Sequence, residues 1–200
     1  LTMTKTATTT KRQNTRQQLL DAAKEELIEG QGDLELARVA KRAGVSDGLT
    51  YYHFGNKTGL IKALVNEFND DMDEHITTVQ FEGDSWAERE KSRVYATVEF
   101  FYQRPVALFI ATRLRTEPSL LQEELERSER LTELGASNIA QAQRAGEINQ
   151  SYDPWILVSM ILAGVTEGVR TALSAKPAVA MQDAQQEIWS FVARAAGVAS

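Results

Sequence analysis

The sequence predicts an all-α protein with a small N-terminal head and a larger helical domain, and three observations lead to this fold class. The 200 residues include only four prolines. Apolar residues recur at three- and four-residue steps along most of the chain, with no sustained alternation of period two. The apolar fraction of 42% is enough to build a sizeable core. These observations together favour helix nearly throughout.

The N-terminal segment, residues 1–13, is rich in threonine and carries Lys5, Lys11 and Arg12. We expect a flexible arm here, which either contacts DNA phosphates or is simply a solvated tail. The first helix is predicted from about Asn14 to Glu29, ending at glycines 30 and 32. Its inner face consists of Leu19, Leu20, Ala23 and Leu27.

The head, residues 14–57, contains two short predicted helices separated by a tight turn. The first buries Val39 and Ala40 and ends at Gly44. Ser46 can cap the second helix, and Asp47 places a negative charge in its first turn. Two such helices form a helix-turn-helix, whose second helix enters the major groove of DNA. The sequence therefore predicts that residues 46–54 read DNA.

The larger domain, residues 58–200, is predicted to begin with a connector helix over about residues 58–79. Apolar residues recur there at four-residue steps from Leu60 to Met72, and a loop follows near residues 81–85. Ser85 is predicted to cap the next helix. Asp153 and Pro154 open a helix that is apolar nearly all round, which we expect to be buried. A last helix carries its apolar stripe near residues 188–195.

The composition excludes several classes of site. The chain has no cysteine, so it has no disulfide or thiolate chemistry and suits a reducing cytoplasm. The most apolar run, residues 155–165, is too short to cross a bilayer. Metal-ligand clusters and nucleotide-binding glycine patterns are missing, so no metal and no cofactor are expected.

The net charge of −6 is unevenly distributed along the chain. Residues 1–62 have a net charge of +3, whereas residues 63–200 have −9. Because phosphate attraction depends on the local field, an acidic body can carry a DNA-binding head.

Residues 44–48 spell the G-x-S-x-G string of a hydrolase nucleophile elbow. That elbow needs a strand before the serine and a histidine base, whereas the residues before Ser46 are helical in pattern and the chain has only His53 and His75. We therefore predict that the protein is not an enzyme.

The head resembles that of the tetracycline-repressor (TetR) family of bacterial transcription regulators over residues 14–65. The residues that carry the resemblance are Val39, Ala40, Ala43–Ser46, Gly48, Tyr51–Phe54, Lys57 and Leu60. It implies that the DNA-binding residues begin at Ser46 and that Asp47, Gly48 and Leu49 face base edges. It further implies that Tyr51 and His53 reach the phosphate backbone, Tyr52 contacts sugar or base edges, and Lys57 meets the backbone from another side.

For the second domain the resemblance implies a ligand pocket among the central helices and a dimer interface built from the last two. The candidate ligand residues are Tyr95, Glu99, Tyr102, Phe109, Arg113, Trp155, Met160 and Glu167, each of which could equally be ordinary core. The candidate interface residues are Gly164, Gly168, Ile188, Phe191 and Val192, which could instead pack within one subunit.

The sequence thus predicts a ligand-responsive, cytoplasmic, homodimeric DNA-binding transcriptional regulator. The expected function is that of a repressor, released from a palindromic operator by a small molecule of unknown identity. The alternative is a DNA-binding protein without a small-molecule ligand, whose C-terminal domain serves dimerisation or protein partners. Double-stranded DNA, a second copy of the chain and the effector are the expected partners, and no membrane is involved.

Overall fold

The structure, a computed structural model, describes residues 3–114 and 117–198, and these ranges contain helices and no strand. This agrees with the predicted all-α class. The helices are α1 (Met3–Glu29), α2 (Leu36–Arg42), α3 (Asp47–Phe54), α4 (Lys57–Met72), α5 (Trp86–Tyr102), α6 (Ala107–Phe109), α7 (Leu121–Arg144), α8 (Pro154–Ser174) and α9 (Met181–Ala196). Two compact units are present: one of residues up to 69 together with 109–120, and one of residues 70–108 and 121 onward.

The core of the first unit is formed by the inner faces of α1, α2 and α4. Helix α1 begins at Met3 rather than at Asn14, because no glycine or proline in the intervening sequence ends it. The chain reverses after α1 through Gln31 and Gly32, with φ of 50° and 91°. The fully buried side chains include Leu19, Leu20, Leu27, Leu34, Val39, Leu60 and Leu64.

Two arginines of α2 bind carboxylates of α1. Arg38 and Arg42 both pair with Glu26, which is 5% exposed, and Arg42 also pairs with Glu29. A buried carboxylate requires such partners. These ion pairs therefore help to orient α2, the helix that precedes the turn.

The predicted connector helix is present, but its second part differs from a regular α-helix. Helix α4 is followed directly by a π-helical segment, Asp73–Thr77. The apolar residues Leu60, Leu64 and Phe68 of α4 are buried, as their four-residue spacing predicted. π-Helical turns inside α-helices are frequent at functional sites.

The second unit is a helical bundle in which α8 packs against α5, α7 and α9. Helix α5 is capped as predicted, since the Ser85 hydroxyl accepts from the backbone N–H of Glu88 at 3.2 Å. Asp153 caps α8 by accepting from the N–H groups of Trp155 and Ile156 at 2.9 and 3.1 Å. Helix α6 continues as a π-helical turn, Ile110–Leu114, and a 3-10 turn, Pro118–Leu120, precedes α7; both turns belong to the first unit.

The prediction that α8 is buried all round is wrong. Trp155, Ile156 and Met160 are 52%, 63% and 50% exposed, because the neighbouring helices cover only one side of α8. By length and composition α8 could cross a membrane. Its packing within the bundle accounts for the buried part of its apolar surface, and its exposed apolar side requires another explanation.

Candidate DNA interface and ligand cavity

The turn between α2 and α3 has the conformation that a helix-turn-helix requires. Gly44 lies at φ 67°, and Ser46 is extended (φ −74°, ψ 150°) at the N-cap of α3. The Ser46 side chain makes no capping hydrogen bond, so its predicted capping role is wrong. The Ser46 carbonyl accepts from Leu49 N–H at 3.0 Å instead, and its hydroxyl is left exposed beside Asp47.

Helix α3 presents its polar and aromatic face outward. Asp47 and Gly48 are exposed, Tyr51 is 55% exposed and Tyr52 is 63% exposed. On the opposite side Thr50 is fully buried. The residues Val45, Leu49, His53 and Phe54 are half-buried.

Helix α1 places two arginines beside the aromatic residues of α3. The guanidinium of Arg12 lies 5.2 Å from the ring centroid of Tyr52, and that of Arg16 lies 5.6 Å from Phe54. Cation–π contacts of this kind fix both partners. The sequence identified Arg12 as a basic residue near the start of the chain, but nothing in it indicated that Arg12 or Arg16 would meet α3.

The charge of the interface is carried by arginine and lysine rather than by histidine. Partial burial, together with the charges of Arg12 and Arg16, lowers the pKa of His53 below its usual 6.5. The imidazole is therefore neutral at neutral pH and can only donate or accept a hydrogen bond. Lys57 is exposed at the first position of α4.

A cavity of about 470 Å³ lies within the second unit, in the size range of small-molecule sites. Its walls are mostly apolar and come from the end of α4 with its π-helical segment, and from α5, α7 and α8. The lining residues are Met72, Ile76, Thr77, Gln80, Trp86, Glu90, Arg93, Val94, Thr97, Leu131, Leu134, Gly135, Asn138, Ile139, Val158, Ile161, Leu162, Val165 and Thr166.

One ion pair supplies the charge of this cavity. Arg93 Nε donates to the Glu90 carboxylate at 3.1 Å, and Arg93 Nη1 donates to the carbonyl of Ile76 at 3.2 Å. The same guanidinium lies 5.0 Å from the ring centroid of Phe81. Burial raises the pKa of Glu90, and the charge of Arg93 opposes that effect.

The π-helical segment beside the cavity is held by an ion pair from α7. Arg127, 7% exposed, donates from Nη1 and Nη2 to the two carboxylate oxygens of Asp73, each at 2.7 Å. Arg127 holds the pKa of Asp73 below 3.8. Just before the segment, Arg104 Nε donates to Asp71 at 2.6 Å and its guanidinium lies 3.7 Å from the Phe100 ring centroid. The backbone that carries Ile76 and Thr77 to the cavity is thus fixed by two arginines.

Residues 19–64, which contain the helix-turn-helix, match the family model of bacterial regulatory proteins of the tetR family. The chain is 27% identical to the fatty acid metabolism regulator protein of Bacillus subtilis (strain 168), over 77% of this chain and 81% of that protein.

The head of the chain is a TetR-family DNA-binding domain, and the chain is similar to transcriptional regulators over most of its length.

Solved structures of TetR-family regulators share the regulator's fold. A transcriptional regulator of the family from Rhodococcus sp. superposes with a TM-score of 0.75 at 24% identity, covering 91% of this chain and 98% of that one. FadR from Bacillus subtilis, in complex with stearoyl-CoA, superposes with a TM-score of 0.71 at 21% identity, covering 88% and 96%. The family and the relatives of the regulator are transcription regulators, which confirms the prediction that it is not an enzyme. Among the described residues, no group of three or more histidines or carboxylates could hold a metal ion.

None of the eight predicted ligand residues of the regulator lines the cavity. On α5 the predicted residues lie on the face turned to α9 and the loop before it: Gln185 Nε2 donates to the Tyr95 carbonyl at 3.1 Å, and the Tyr102 hydroxyl donates to the Val179 carbonyl at 2.9 Å. Glu99 is exposed and accepts from Gln103 at 2.7 Å. The cavity uses the adjacent face of α5, with Glu90 and Arg93.

The other predicted ligand residues lie elsewhere. Phe109 and Arg113 belong to the first unit, where both side chains contact Gly32. Trp155 and Met160 lie on the exposed side of α8. Glu167 is exposed and pairs with Arg170, which lowers its pKa. These residues therefore lie outside the lining of this cavity, and a role for them in ligand binding stays a prediction.

The predicted interface residues of the regulator pack mostly within one subunit. A side chain at Gly164 would overlap the ring of Phe191, and one at Gly168 would approach Ile188 Cγ1 to 3.1 Å. Ile188 is 7% exposed and Val192 is fully buried. The glycines thus allow α8 and α9 of the same subunit to approach closely, which is the alternative that the sequence left open, and a dimer interface at these positions stays a prediction. Phe191, 43% exposed, remains available at the surface.

Proposed function

We propose that the regulator is a repressor that binds a palindromic DNA operator as a homodimer and is released by a small molecule. The observation that carries the proposal is the outward face of α3, where Asp47, Gly48, Tyr51 and Tyr52 are exposed next to the arginines of α1. A helix whose exposed side carries hydrogen-bonding residues, flanked by cations, suits a major groove between two phosphate chains.

Each residue of this face has a distinct task in the proposal. Asp47 accepts a hydrogen bond from a cytosine N4 amino group, Leu49 contacts a thymine methyl group, and Gly48 lets the helix approach the base edges closely. These three residues read sequence.

The remaining residues of the interface hold the DNA backbone. Ser46, Tyr51 and Tyr52 donate hydroxyl hydrogen bonds, to phosphate or, for Tyr52, to sugar or base edges. His53 donates a hydrogen bond from a neutral imidazole, because its lowered pKa leaves the ring uncharged at neutral pH. The ammonium group of Lys57 forms an ion pair with a phosphate. Because the contacts of Ser46, Tyr51, His53 and Lys57 go to the backbone, they position the helix without reading bases.

Dimerisation is supported by the exposed apolar side of α8 together with Phe191 of α9. Ile156 and Met160 lie one helical turn apart and are at least half exposed. Exposed apolar surface of this kind marks an association site. Two heads related by a twofold axis would bind half-sites about 34 Å apart, or at a multiple of the helical repeat.

Effector control is supported by the cavity and by its walls. A central domain packed solid would favour the alternative of a ligand-free DNA-binding protein, whereas this unit encloses about 470 Å³. Met72, Ile76 and Thr77 line the cavity at the end of the helix that begins at Lys57. A ligand that moves this helix changes the separation of the two recognition helices. The coupling between ligand and DNA would be about 1 to 3 kcal/mol and reciprocal.

The test starts by selecting bound fragments from random DNA, which supplies the operator. Tyr51→Ala is then compared with Glu99→Ala, a change at an exposed residue far along the sequence from the head. We expect Tyr51→Ala to lose at least about tenfold in operator affinity because a hydrogen bond to charged phosphate is removed, with folding and dimerisation unchanged. Equal operator affinity for both variants contradicts the proposal.

A further inference from the structure

We infer that the cavity of the second unit binds an amphipathic monocarboxylate, with the acid group at Arg93 and Glu90 and the apolar body against the apolar residues of α7 and α8. The inference deepens the proposed function. Only the claim that the bound acid is the effector rests on that function.

The charge that the cavity can carry limits the charge of its occupant. Among the described residues that line it, from the end of α4, α5, α7 and α8, only Glu90 and Arg93 are charged. An arginine stays protonated in a protein, whereas a glutamate can be ionised or neutral. The cavity therefore has a net charge of zero or of plus one, and never a negative charge. A cationic ligand would leave one positive charge without a partner, which is costly in an apolar enclosure.

Arg93 has donors left for a ligand. Its Nε and Nη1 are used by Glu90 and by the Ile76 carbonyl, and Nη2 has no partner among the residues that the structure describes. The Arg93 side chain retains 29% of its exposure. Its planar group is held over Phe81, so it is fixed in place before a ligand arrives. A preorganised guanidinium is well suited to a carboxylate.

Glu90 favours an acid over a neutral ligand. A neutral occupant would strip water from the Glu90–Arg93 pair without adding a charged partner. When a carboxylate binds, Glu90 takes up one proton from solvent, and its new O–H donates to the ligand while Arg93 pairs with the ligand's negative charge. The cavity therefore holds one positive and one negative charge both before and after the ligand binds. The raised pKa of Glu90 makes this protonation easier.

The remaining walls suit a hydrocarbon or aromatic body. The apolar lining of the cavity includes Leu131 and Ile139 of α7 and Val158, Ile161 and Val165 of α8. All five are apolar, so a ligand body gains by leaving water. The polar head group and the apolar body are thus provided for on different helices.

The experiment compares three probes that have the same alkyl chain and different head groups: decanoate, 1-decanol and decyltrimethylammonium. Binding to the full chain is measured by isothermal titration calorimetry near pH 7, in two buffers of different ionisation enthalpy. We expect decanoate to bind about tenfold tighter than decanol, because its charged hydrogen bonds are stronger than neutral ones. Decyltrimethylammonium should bind weakest. The two buffers should reveal uptake of protons with decanoate and none with decanol.

Two variants test the residues. The double variant Glu90→Gln/Arg93→Gln keeps the shape and removes both charges, so the preference for decanoate over decanol should disappear. Glu90→Gln alone should retain the preference without proton uptake. Circular dichroism confirms that both are folded, and if Arg93→Gln prevents folding, Arg93→Lys should still keep decanoate ahead of decanol. The inference is overturned if the ammonium probe binds as well as decanoate, if the double variant keeps the preference, or if no probe binds.

Operator binding separates this inference from the proposed function. If the chain binds its operator but not decanoate, the ligand class is wrong and DNA binding stands. If decanoate binds with the expected selectivity and leaves operator affinity unchanged, effector release is wrong and the ligand class stands. If random DNA yields no bound fragment, the proposed function is wrong whatever the cavity binds.

Discussion

Gly48→Ala is the substitution that separates DNA reading from folding most sharply. Gly48 lies in the first turn of α3 and is exposed, and a Cβ built there has no atom within 4 Å. The added methyl group therefore meets nothing in the protein. Because alanine loses less conformational entropy than glycine in a helix, we expect the free energy of unfolding to rise by up to about 1 kcal/mol.

The same methyl group should weaken operator binding. In the proposed complex Gly48 lies between Asp47 and Leu49 against the base edges, so a side chain there holds the helix away from both contacts. A base contact contributes about 1 to 3 kcal/mol of discrimination, so losing one reduces operator affinity by about tenfold or more. Fluorescence anisotropy with labelled operator measures this change, and urea unfolding measures the stability.

Gly59→Ala is the matched control with the opposite signature. Gly59 also lies in the first turn of its helix, but a Cβ there would overlap the backbone carbonyl oxygen of Phe54, at the end of α3. Its N–H donates to Asn56 Oδ1 at 2.9 Å, which holds the backbone near that carbonyl. Backbone must shift to accept the methyl group, so we expect a loss of about 3 kcal/mol in stability.

The two outcomes refute different parts of the reasoning. If Gly48→Ala binds the operator with the affinity of the unsubstituted chain, the start of α3 does not lie against the bases. If Gly59→Ala unfolds at the same urea concentration as the unsubstituted chain, the close approach of α4 to the end of α3 is wrong.

Three further substitutions test other contacts. Lys57→Ala should weaken binding to operator and random DNA alike and lower the salt slope by about one, measured by salt titration; altered sequence preference would argue against a backbone contact. Met160→Glu should shift dimer to monomer in sedimentation because it buries a charge in the apolar interface, and an unchanged dimer would exclude this side of α8. Asp73→Asn should lower stability near neutral pH by about 1 kcal/mol, a modest value because Asp73 is partly exposed. Since Arg127 holds the pKa of Asp73 below 3.8, the contribution is present above pH 3.8 and is lost as the pH falls further. Urea unfolding of both proteins should therefore converge in acid, and a constant difference would contradict the ion pair.

Local sequence determined the helix-turn-helix because the signals for it are local. The burial of Val39 and Ala40 follows from their spacing, and Gly44 has the positive φ that the turn needs. The helix starts at Ser85 and Asp153 could also be predicted from the sequence, since a cap involves residues only two or three positions apart. The exception is Ser46, which takes the N-cap position without the side-chain hydrogen bond.

Only the tertiary structure decided which face of each helix in the second domain has which role. On α5, residues 95, 99 and 102 form one face and residues 86, 90, 93 and 97 form another, and both carry aromatic and charged residues. The first face turns to α9 and the loop before it, and the second to the cavity. Helical spacing identifies a face without saying what covers it.

The glycines of α8 illustrate the same limit. Their four-residue spacing indicated close packing against another helix, and that much was determined by sequence. Their partners, Phe191 and Ile188 of the same subunit, depend on how α9 folds back after residue 174. A small residue permits close approach to any helix, so its partner is determined by the positions of elements far apart in the chain.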